Sequence, residues 1–412
     1  MKRFFIIASM AVLAVGCQKT EIQNEVQNQI GFSTETGKMT RAIVNDTQYP
    51  TTQSFAVYAY GWQNGTANTA PVMNNVEIAQ STRTINEQRT TVWAANDEIT
   101  YYWPNDPRTT LNFYAYSPSV GTANTPAHQK LNGTIAHSET SGLSITNYAH
   151  DNMYVDFMTA TPVVGAIYSA TDPNGLVSNE IAGTVPVVFN HQMTQVIFNV
   201  TTDKAYPGVT FTVEEITLKN IHNVGNYLNA NMVPSYHEPA PNSFKHGNWS
   251  NTSVVATGTR GVYNIFPADT DNGAIFADNR ATVANDETLE APISLTNAED
   301  AQTFASMLTT GVTMIPQNMV KATSQVTAGT DSYAGETAGQ MFMIKYSISG
   351  TGVAEETVVK HVPFRTSDAE VTNWGPNQKI TYTVKIGLNE IYFEPSVADW
   401  TSTEGETYNF QQ

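Results

Sequence analysis

The sequence predicts a mainly β fold made of β-sandwich domains, and three observations support this prediction. Short runs of aromatic and β-branched residues recur along the chain, and clusters of Gly, Pro, Asn, Asp and Ser separate them, as strands and turns require. Only 14% of the residues are charged, and Thr, Asn, Ser and Ala supply much of the remaining surface. Of the 412 residues, 41% are hydrophobic, which is enough for a sizeable core in two or three domains.

The first segment predicts export as a lipoprotein. Residues 1–3 are a basic n-region, and residues 4–15 form an apolar run that is too short for a membrane-spanning helix. The run ends in Ala-Val-Gly-Cys, which resembles a bacterial lipobox with Cys17 as the lipidated residue. Cys17 is also the only cysteine, so no disulfide can form within the chain. We therefore expect residues 1–16 to be a signal peptide and a lipid on Cys17 to tether the chain to a membrane.

The first strand signal is weak and lies just before a loop. A polar tether leads to Ile30 and Phe32, which alternate with polar or small neighbours in the manner of a strand. The Thr-rich stretch that follows is typical of an exposed loop, and it contains Lys38 and Arg41. No further Lys or Arg occurs until Arg83, so a protease specific for basic residues finds no other site in between.

Stronger strand patterns begin at residue 54 and continue to the C-terminal region. Aromatic and branched residues dominate them, and turn residues separate them. One pattern, in residues 98–118, predicts a hairpin whose turn is the Pro-Asn-Asp-Pro sequence at 104–107. The other predicted strands occupy residues 54–62, two apolar runs within 185–202, and residues 211–221, 261–268, 312–317, 341–350, 379–387 and 390–400.

One helix and one domain boundary are also predicted. Asn297 can cap a helix that Gly311 ends, and apolar residues between them recur at the helical spacing i, i+3, i+4 and i+7. Residues 235–255 are rich in Ser, Asn and Pro, which is typical of a loop. We place a boundary between two domains within this loop, near residue 245.

The sequence lacks the motifs of common enzyme classes. No HExxH, GxSxG, P-loop or CxxC pattern occurs, and the eight histidines are dispersed. His191, which lies between two apolar runs, is interpreted as a residue at the edge of the core that donates to a backbone carbonyl. We therefore expect no enzymatic activity, cofactor or metal site. The formal net charge of −17 leaves no basic stripe for phosphates, so nucleic acid is not expected as a partner.

A cluster of aromatic residues supports an alternative function. Such rings could stack on sugars, which would make the chain a glycan-binding lipoprotein of the outer-membrane surface. Aromatic residues at alternating positions of strands are more typical of a sandwich core. Burial of Trp62 and Trp103 would therefore argue against this alternative. The cluster comprises Trp93, Tyr101, Tyr102, Trp103, Tyr114 and Tyr116.

Six motifs, in this order along the chain, resemble those of the fimbrillin (type V pilin) family of Gram-negative bacteria. They are the lipobox, TRA at 40–42, YYWP with NFYAYSP, VVFNHQMTQVIFNV, MIPQ, and NWGPNQKITYTVKIG with IYFEPSVADW. The resemblance implies an outer-membrane lipoprotein precursor with two transthyretin-like Greek-key β-sandwich domains and a few short helices. It also implies a structural subunit of a surface fimbria that is exported through the periplasm and functions in adhesion.

The resemblance further implies assembly by strand exchange. An arginine-specific protease would cut between Arg41 and Ala42, and the first strand would then leave. The terminal strand of another subunit, of the same or a different kind, would fill the groove. Tyr408 and Phe410 stand at i and i+2 in the C-terminal tail, so they would face the same side of such a donor strand.

These inferences divide the chain into four parts. Each part has its own expected role in export, processing or assembly. The parts are a signal peptide (1–16), a lipidated tether with a removable first strand that carries Ile30 and Phe32 (17–41), an N-terminal β-sandwich domain (42–245), and a C-terminal β-sandwich domain with the candidate donor strand (246–412).

Overall fold

The structure, a computed structural model, describes most of the chain between Gln29 and Thr407. Regular structure in the described residues is almost entirely strand, with a 3-10 turn at Ala230–Met232. The prediction of a mainly β fold is confirmed, whereas the transthyretin-like Greek-key topology stays a prediction. The described residues are 29–36, 49–63, 66–67, 70–85, 88–97, 99–106, 108–123, 125, 129–138, 140–150, 152–153, 155–167, 184–233, 246–250, 260–266, 292–295, 302–303, 311–321, 339–365, 371–388, 391–399 and 406–407.

The strands fall into two groups along the chain. The first group is β1 (Gly31–Thr36), β2 (Phe55–Gln63), β3 (Thr66–Ala67), β4 (Met73–Ile85), β5 (Gln88–Ala95), β6 (Thr109–Ser117), β7 (Thr134–Ser138), β8 (Gly142–Ala149), β9 (Met158–Ala160), β10 (Val163–Ala166) and β11 (Thr184–His191). The second group is β12 (Thr194–Thr202), β13 (Val209–His222), β14 (Val224–Asn229), β15 (Asn248–Ser250), β16 (Arg260–Phe266), β17 (Ile293–Leu295), β18 (Gln302–Thr303), β19 (Val312–Met314), β20 (Gln317–Asn318), β21 (Met341–Gly350), β22 (Val353–Pro363), β23 (Asn373–Trp374), β24 (Gln378–Ile386), β25 (Ile391–Asp399) and β26 (Glu406–Thr407).

The N-terminal strands form a nine-stranded sheet that closes on itself. Its strand order is β10-β6-β9-β11-β1-β5-β4-β2-β3, and β6 also pairs with β2. The strands β6, β9, β11, β1, β5, β4 and β2 therefore form a closed ring. The long strand β4 makes closure possible, because its first half pairs with β2 and its second half with β5. Since β1 has a neighbour on each side, it is not an edge strand.

Apolar side chains fill the interior of the ring. Phe55 of β2, Phe113 of β6 and Phe189 of β11 are buried there together with Phe32 of β1. Alternate residues of β2 and β6 point outward and are also buried, because the four-stranded sheet β15-β14-β8-β7 contributes to a second core against them. Burial on both faces explains why the sequences of β2 and β6 are almost continuously apolar.

His137 of β7 lies among three tyrosines of this second core. Its ring centroid is 5.2 Å from that of Tyr58, 5.4 Å from that of Tyr60 and 4.3 Å from that of Tyr114. Its Nδ1 lies 3.2 Å from the hydroxyl of Tyr60. Burial lowers the pKa of His137 to about 4, because the charged imidazolium loses hydration in this environment.

We expect acid to destabilise the protein through His137. The unfolded chain takes up a proton on His137 near pH 6.5, whereas the folded chain resists this proton until about pH 4. The free energy of unfolding should therefore fall by on the order of 2 kcal/mol as the pH drops through this window. His137→Phe keeps a ring but cannot titrate, so urea unfolding at about pH 7 and pH 5 should show a smaller loss in this variant. An equal loss in both proteins would contradict this prediction.

Two further sheets share a third core. β12, β24 and β25 form one sheet with β18, β19 and β26, and β13, β16, β21 and β22 form the other with β17. Phe198 of β12 connects them, since its ring centroid is 5.6 Å from that of Tyr382 in β24 and 5.3 Å from that of Phe342 in β21. The two sheets therefore pack against each other through one apolar cluster.

The chain passes from the ring to the third core at Gln192 and Met193. β11 ends in the ring, and β12 begins at Thr194 and pairs in parallel with β24. The side-chain oxygen of Gln192 accepts hydrogen bonds from the hydroxyl of Tyr227, at 2.9 Å, and from the amide of Gly247, at 3.1 Å. The domain boundary near residue 245 stays a prediction. Strand pairing crosses this position, because β12 and β13 pair with β24 and β21.

Most predicted strands are confirmed, but one predicted hairpin and one predicted helix are wrong. In residues 98–118, β6 pairs with β2, β9 and β10, while Tyr102 in the expected first arm makes only an isolated bridge to Gln29. The predicted helix between Asn297 and Gly311 contains β18, which pairs with β12, so tertiary pairing overrides the helical pattern there. The predicted strands at 54–62, 185–202, 211–221, 261–268, 312–317, 341–350, 379–387 and 390–400 correspond to β2, β11 with β12, β13, β16, β19 with β20, β21, β24 and β25.

Candidate functional site

The strand β1 lies between β11 and β5. It pairs in parallel with β11 over six residues, from Gly31 opposite Thr184 to Thr36 opposite Phe189. On its other side a single residue pair, Phe32 with Trp93, joins it to β5. The main-chain pairing of β1 is therefore far more extensive with β11 than with β5. We call the position of β1 between these two strands the seat.

The side chains of β1 alternate between the interior of the ring and its outside. Ile30, just before the strand, and Phe32 are 5% and 4% exposed. The ring of Phe32 meets those of Phe55 and Phe113 edge to face, with centroids 5.9 and 6.0 Å apart. Gly31 lies between them, and a Cβ atom there would meet nothing within 4 Å. Burial of Ile30 and Phe32 stabilises the seated strand by about 1.5–3 kcal/mol for each side chain.

Residues 99–103 hold the beginning of β1 in place. The amide of Ile30 donates to the carbonyl of Tyr101 at 2.8 Å, and Gln29 forms a bridge with Tyr102. The hydroxyl of Tyr101 donates to Oδ2 of Asp97 at 2.8 Å. Burial and the hydrogen bond to Asp97 raise the pKa of Tyr101 to about 12, so this hydroxyl keeps its proton. The segment predicted as the first arm of a hairpin thus serves as a strap over the start of β1.

Tyr49 anchors the chain where it returns to the ring. Its ring stacks on that of Phe189, with centroids 4.9 Å apart, and lies 5.3 Å from that of Trp93. Its hydroxyl lies 3.0 Å from the carbonyl oxygen of Ser54, to which it donates, and 2.6 Å from Oγ of Ser117. Burial raises the pKa of Tyr49 above its usual value. No motif pointed to Tyr49, although an aromatic residue between a loop and a strong strand was a possible signal.

The segment that contains the predicted cleavage site connects β1 with Tyr49. Lys38, Arg41 and Ala42 belong to this segment, residues 37–48, and lie outside the described residues. Both flanks of the segment are placed at Phe189, because Thr36 is opposite Phe189 in the pairing and Tyr49 stacks on its ring. A cut in this segment would therefore separate β1 from a body whose new end is already anchored.

A buried pair of ionisable groups lies at the end of β11. Nδ1 of His191 is 2.7 Å from Oδ2 of Asp156, and both side chains are almost completely buried. Burial raises the pKa of Asp156, while the neighbouring His191 acts in the opposite direction. The sequence interpretation of His191 as a core-edge residue omitted this partner, because the two residues are far apart in the sequence. The pair holds the same strand that supports β1.

The C-terminal tail is only partly described. β25 pairs with β24 over nine residues, from Ile391 to Asp399, so Ser-Val-Ala-Asp belongs to the protein's own sheet. β26 follows and pairs with β25 through only two residues, Glu406 and Thr407. Tyr408 and Phe410, the candidate donor residues, lie outside the described residues, as does Cys17.

The aromatic cluster offers little surface for stacking on sugars. Trp103 is 3% exposed and contacts the ring of Phe113 with centroids 5.6 Å apart. Trp93, Tyr114 and Tyr116 are also buried, and Trp62 is half-buried. Tyr102 is the member with a large exposed fraction, at 47%. These observations argue against glycan binding by this cluster and favour its interpretation as core.

Other candidate features were sought in the part of the chain that the structure describes. In that part, no helix is both long and apolar enough to span a membrane. The same residues contain no cluster of three or more His, Cys, Asp or Glu side chains that could hold a metal ion. The seat of β1 is therefore the feature with the clearest functional geometry in the described residues.

Comparison with known proteins places this geometry in context. A family model described as "Fimbrillin-like" matches residues 40–400. No curated protein matches the sequence. A fimbrial protein from Bacteroides vulgatus is similar, with 16% identity, a TM-score of 0.47, and coverage of 90% of this chain and 99% of that one. A candidate cell adhesion protein from Bacteroides uniformis has 15% identity, a TM-score of 0.41, and coverage of 90% and 98%.

Proposed function

The chain belongs to the fimbrillin-like family, and on this premise we propose that it is a structural subunit of a surface fimbria, made as an outer-membrane lipoprotein precursor. In this proposal, a lipid on Cys17 tethers the precursor, and an arginine-specific protease cuts between Arg41 and Ala42. The strand β1 then leaves, and other pilin subunits of the same or a different kind join by strand exchange. The resulting fibre functions in adhesion, and no catalysis or cofactor is involved.

The observation that carries the proposal is the way β1 is connected. Residues 37–48 are its covalent link to the body on the C-terminal side, and Arg41 lies within them. After a cut there, only non-covalent contacts hold β1 in the seat. The body keeps its own anchor at Tyr49, which stacks on Phe189 independently of β1. Cleavage therefore detaches the strand without removing a residue of the remaining core anchor.

Departure of β1 leaves a groove that another strand can fill. The six residues of β11 that face β1 lose their main-chain partners, and the space of Ile30 and Phe32 becomes open. Unpaired main-chain groups at such a groove are a ready template for an incoming strand. A strand that enters supplies hydrogen bonds through its main chain and fills the apolar space with alternate side chains.

The C-terminal tail is the candidate for the incoming strand. Tyr408 and Phe410 stand at i and i+2, which is the spacing of Ile30 and Phe32 in the seat. The tail is attached to its own sheet by only two residue pairs in β26, so little pairing is lost when it leaves. Residues 396–399 are not part of the donor in this proposal, because β25 pairs fully with β24.

The experiment that tests the proposal is treatment of the purified precursor with an arginine-specific protease. We expect a product that begins at Ala42 by mass spectrometry, followed by polymers that resist dissociation in detergent. Arg41→Ala should remain uncut at this position and monomeric, because the scissile bond after arginine is gone. Lys38→Ala is the matched control, and it should be cut and polymerise like the parent protein.

Two outcomes would contradict the proposal. If Arg41→Ala is processed and polymerises like the parent protein, the mechanism at this site is wrong. If the parent protein is cut at Arg41 but keeps the peptide that contains Phe32 and stays monomeric, strand exchange is wrong. The second outcome would leave cleavage itself intact.

A further inference from the structure

A cleft of about 510 Å³ opens between the second core and the third core. β15 forms one wall, and β20 with β23 and the turn after β23 form the other. His222, at the end of β13, lies at its base. The volume falls within the range of about 300–1,000 Å³ that small-molecule sites occupy, and such sites are common where two structural units meet.

Hydrogen bonds within the protein fix the floor of the cleft. The side-chain oxygen of Gln317 accepts from the amide of His222 at 3.1 Å, and its side-chain nitrogen donates to a main-chain carbonyl. The indole nitrogen of Trp374 donates to the hydroxyl of Tyr382 at 2.9 Å. The indole nitrogen of Trp249 donates to the carbonyl of Gln192 at 2.8 Å. The floor is thus rigid before any ligand enters.

The mouth of the cleft carries exposed polar side chains. Asn248 and Ser250 lie on one wall, and Asn318 and Asn373 are opposite each other in the pairing of β20 with β23 on the other wall. Each amide side chain can both donate and accept hydrogen bonds, as can the serine hydroxyl. A sugar hydroxyl has the same double capacity, so these groups suit a polyhydroxylated ligand.

The charge of the cleft narrows the class of ligand further. None of the described residues that line it is Asp, Glu, Lys or Arg, although the whole chain carries a formal charge of −17. A phosphate, carboxylate or ammonium group would lose hydration here without an ion partner, which is costly. We propose that this cleft binds one or two units of a neutral saccharide, with the amides at its mouth pairing with hydroxyls and Trp249 packing against a sugar ring.

A peptide is a poorer fit to the same cleft. Extended peptides usually bind by pairing with a free strand edge. Here the strands at the mouth are β15, β20 and β23, which are only two or three residues long. Binding at this cleft does not require cleavage or polymerisation, so it is independent of the strand-exchange proposal and can be measured on the uncleaved precursor.

The test is titration of the uncleaved Arg41→Ala precursor with free neutral disaccharides, namely maltose, cellobiose, lactose and mannobiose, and with the charged sugar sialyllactose. We expect at least one neutral disaccharide to bind and sialyllactose to bind no better. The double variant Asn318→Ala/Asn373→Ala should weaken the affinity by about tenfold or more, since it removes two hydrogen-bonding amides. Asn74→Ala, at an exposed position of β4, is the matched control and should bind like the parent protein.

A second variant tests the cleft without removing any amide. Ser250→Trp adds a large side chain at the exposed mouth and should abolish binding by filling the space. The proposal is overturned if none of the neutral disaccharides binds, if the double variant and Ser250→Trp both bind like the parent protein, or if only sialyllactose binds. Circular dichroism of each variant establishes that it is folded before titration.

Discussion

Phe32→Ala is expected to lower the free energy of unfolding of the uncleaved precursor by about 3–5 kcal/mol. Phe32 is 4% exposed, and its ring meets those of Phe55 and Phe113 edge to face. Truncation therefore leaves a cavity inside the ring of strands. The same variant should not change the stability of the cleaved protein after β1 has left, because Phe32 is then no longer part of it. Urea unfolding of the two forms measures this difference.

Gly31→Ala is the matched control for this prediction. A Cβ atom at Gly31 meets nothing within 4 Å, so we expect the precursor to stay within about 1 kcal/mol of the parent protein. After cleavage, the peptide that carries β1 should leave faster from Phe32→Ala than from Gly31→Ala, because only Phe32 holds it by burial. An unchanged stability of the Phe32→Ala precursor would contradict the seat. A cleaved Phe32→Ala protein that still shows the full loss would contradict departure of β1.

His191→Leu is expected to cost about 3–5 kcal/mol near pH 7, because it leaves a buried carboxyl without its partner. Nδ1 of His191 lies 2.7 Å from the Asp156 carboxylate in the parent protein. Burial raises the pKa of Asp156, and His191 counteracts the rise, so the pKa should rise further in the variant. A carboxyl whose pKa is raised on folding favours the folded state when it is protonated. The variant should therefore regain stability as the pH falls and lose it as the pH rises through the raised pKa.

The double variant His191→Leu/Asp156→Leu is the control for this pair. It removes the buried carboxyl as well, so it should recover part of the lost stability and most of the pH dependence should disappear. Urea unfolding of the parent and both variants at about pH 5 and pH 7.5 provides the comparison. If His191→Leu is as stable as the parent protein at neutral pH, the pair contributes little to the strand that supports β1.

The strands were predictable because their signal is local. In β2, aromatic and small residues form a continuous run that ends near Gly61, and in β24 buried residues alternate strictly with half-buried ones. The pairing of these strands was not predictable, because it depends on residues far apart in the sequence. The hairpin expected around 104–107 shows this: β6 pairs with β2, and the preceding segment straps β1 through Tyr101 instead.

The candidate site divides in the same way. The alternation of Ile30 and Phe32 predicted a strand, and the position of Arg41 just after it predicted a cleavable loop. The anchor at Tyr49 and the buried pair of His191 with Asp156 carried no recognisable motif. Their partners come from other strands, so their roles exist only after those strands are brought together.

By itself, the sequence determined that this protein is built mainly of strands, that Ile30 and Phe32 share one face, and that a basic residue follows them in a loop. These properties depend on residue order over a few positions, which the pattern of side chains records directly. Only the tertiary structure decided that β1 closes a ring between β11 and β5 rather than lying at an edge. The physical reason is that β11 lies more than 140 residues beyond β1, and no local pattern records which distant strand supplies its main-chain partners.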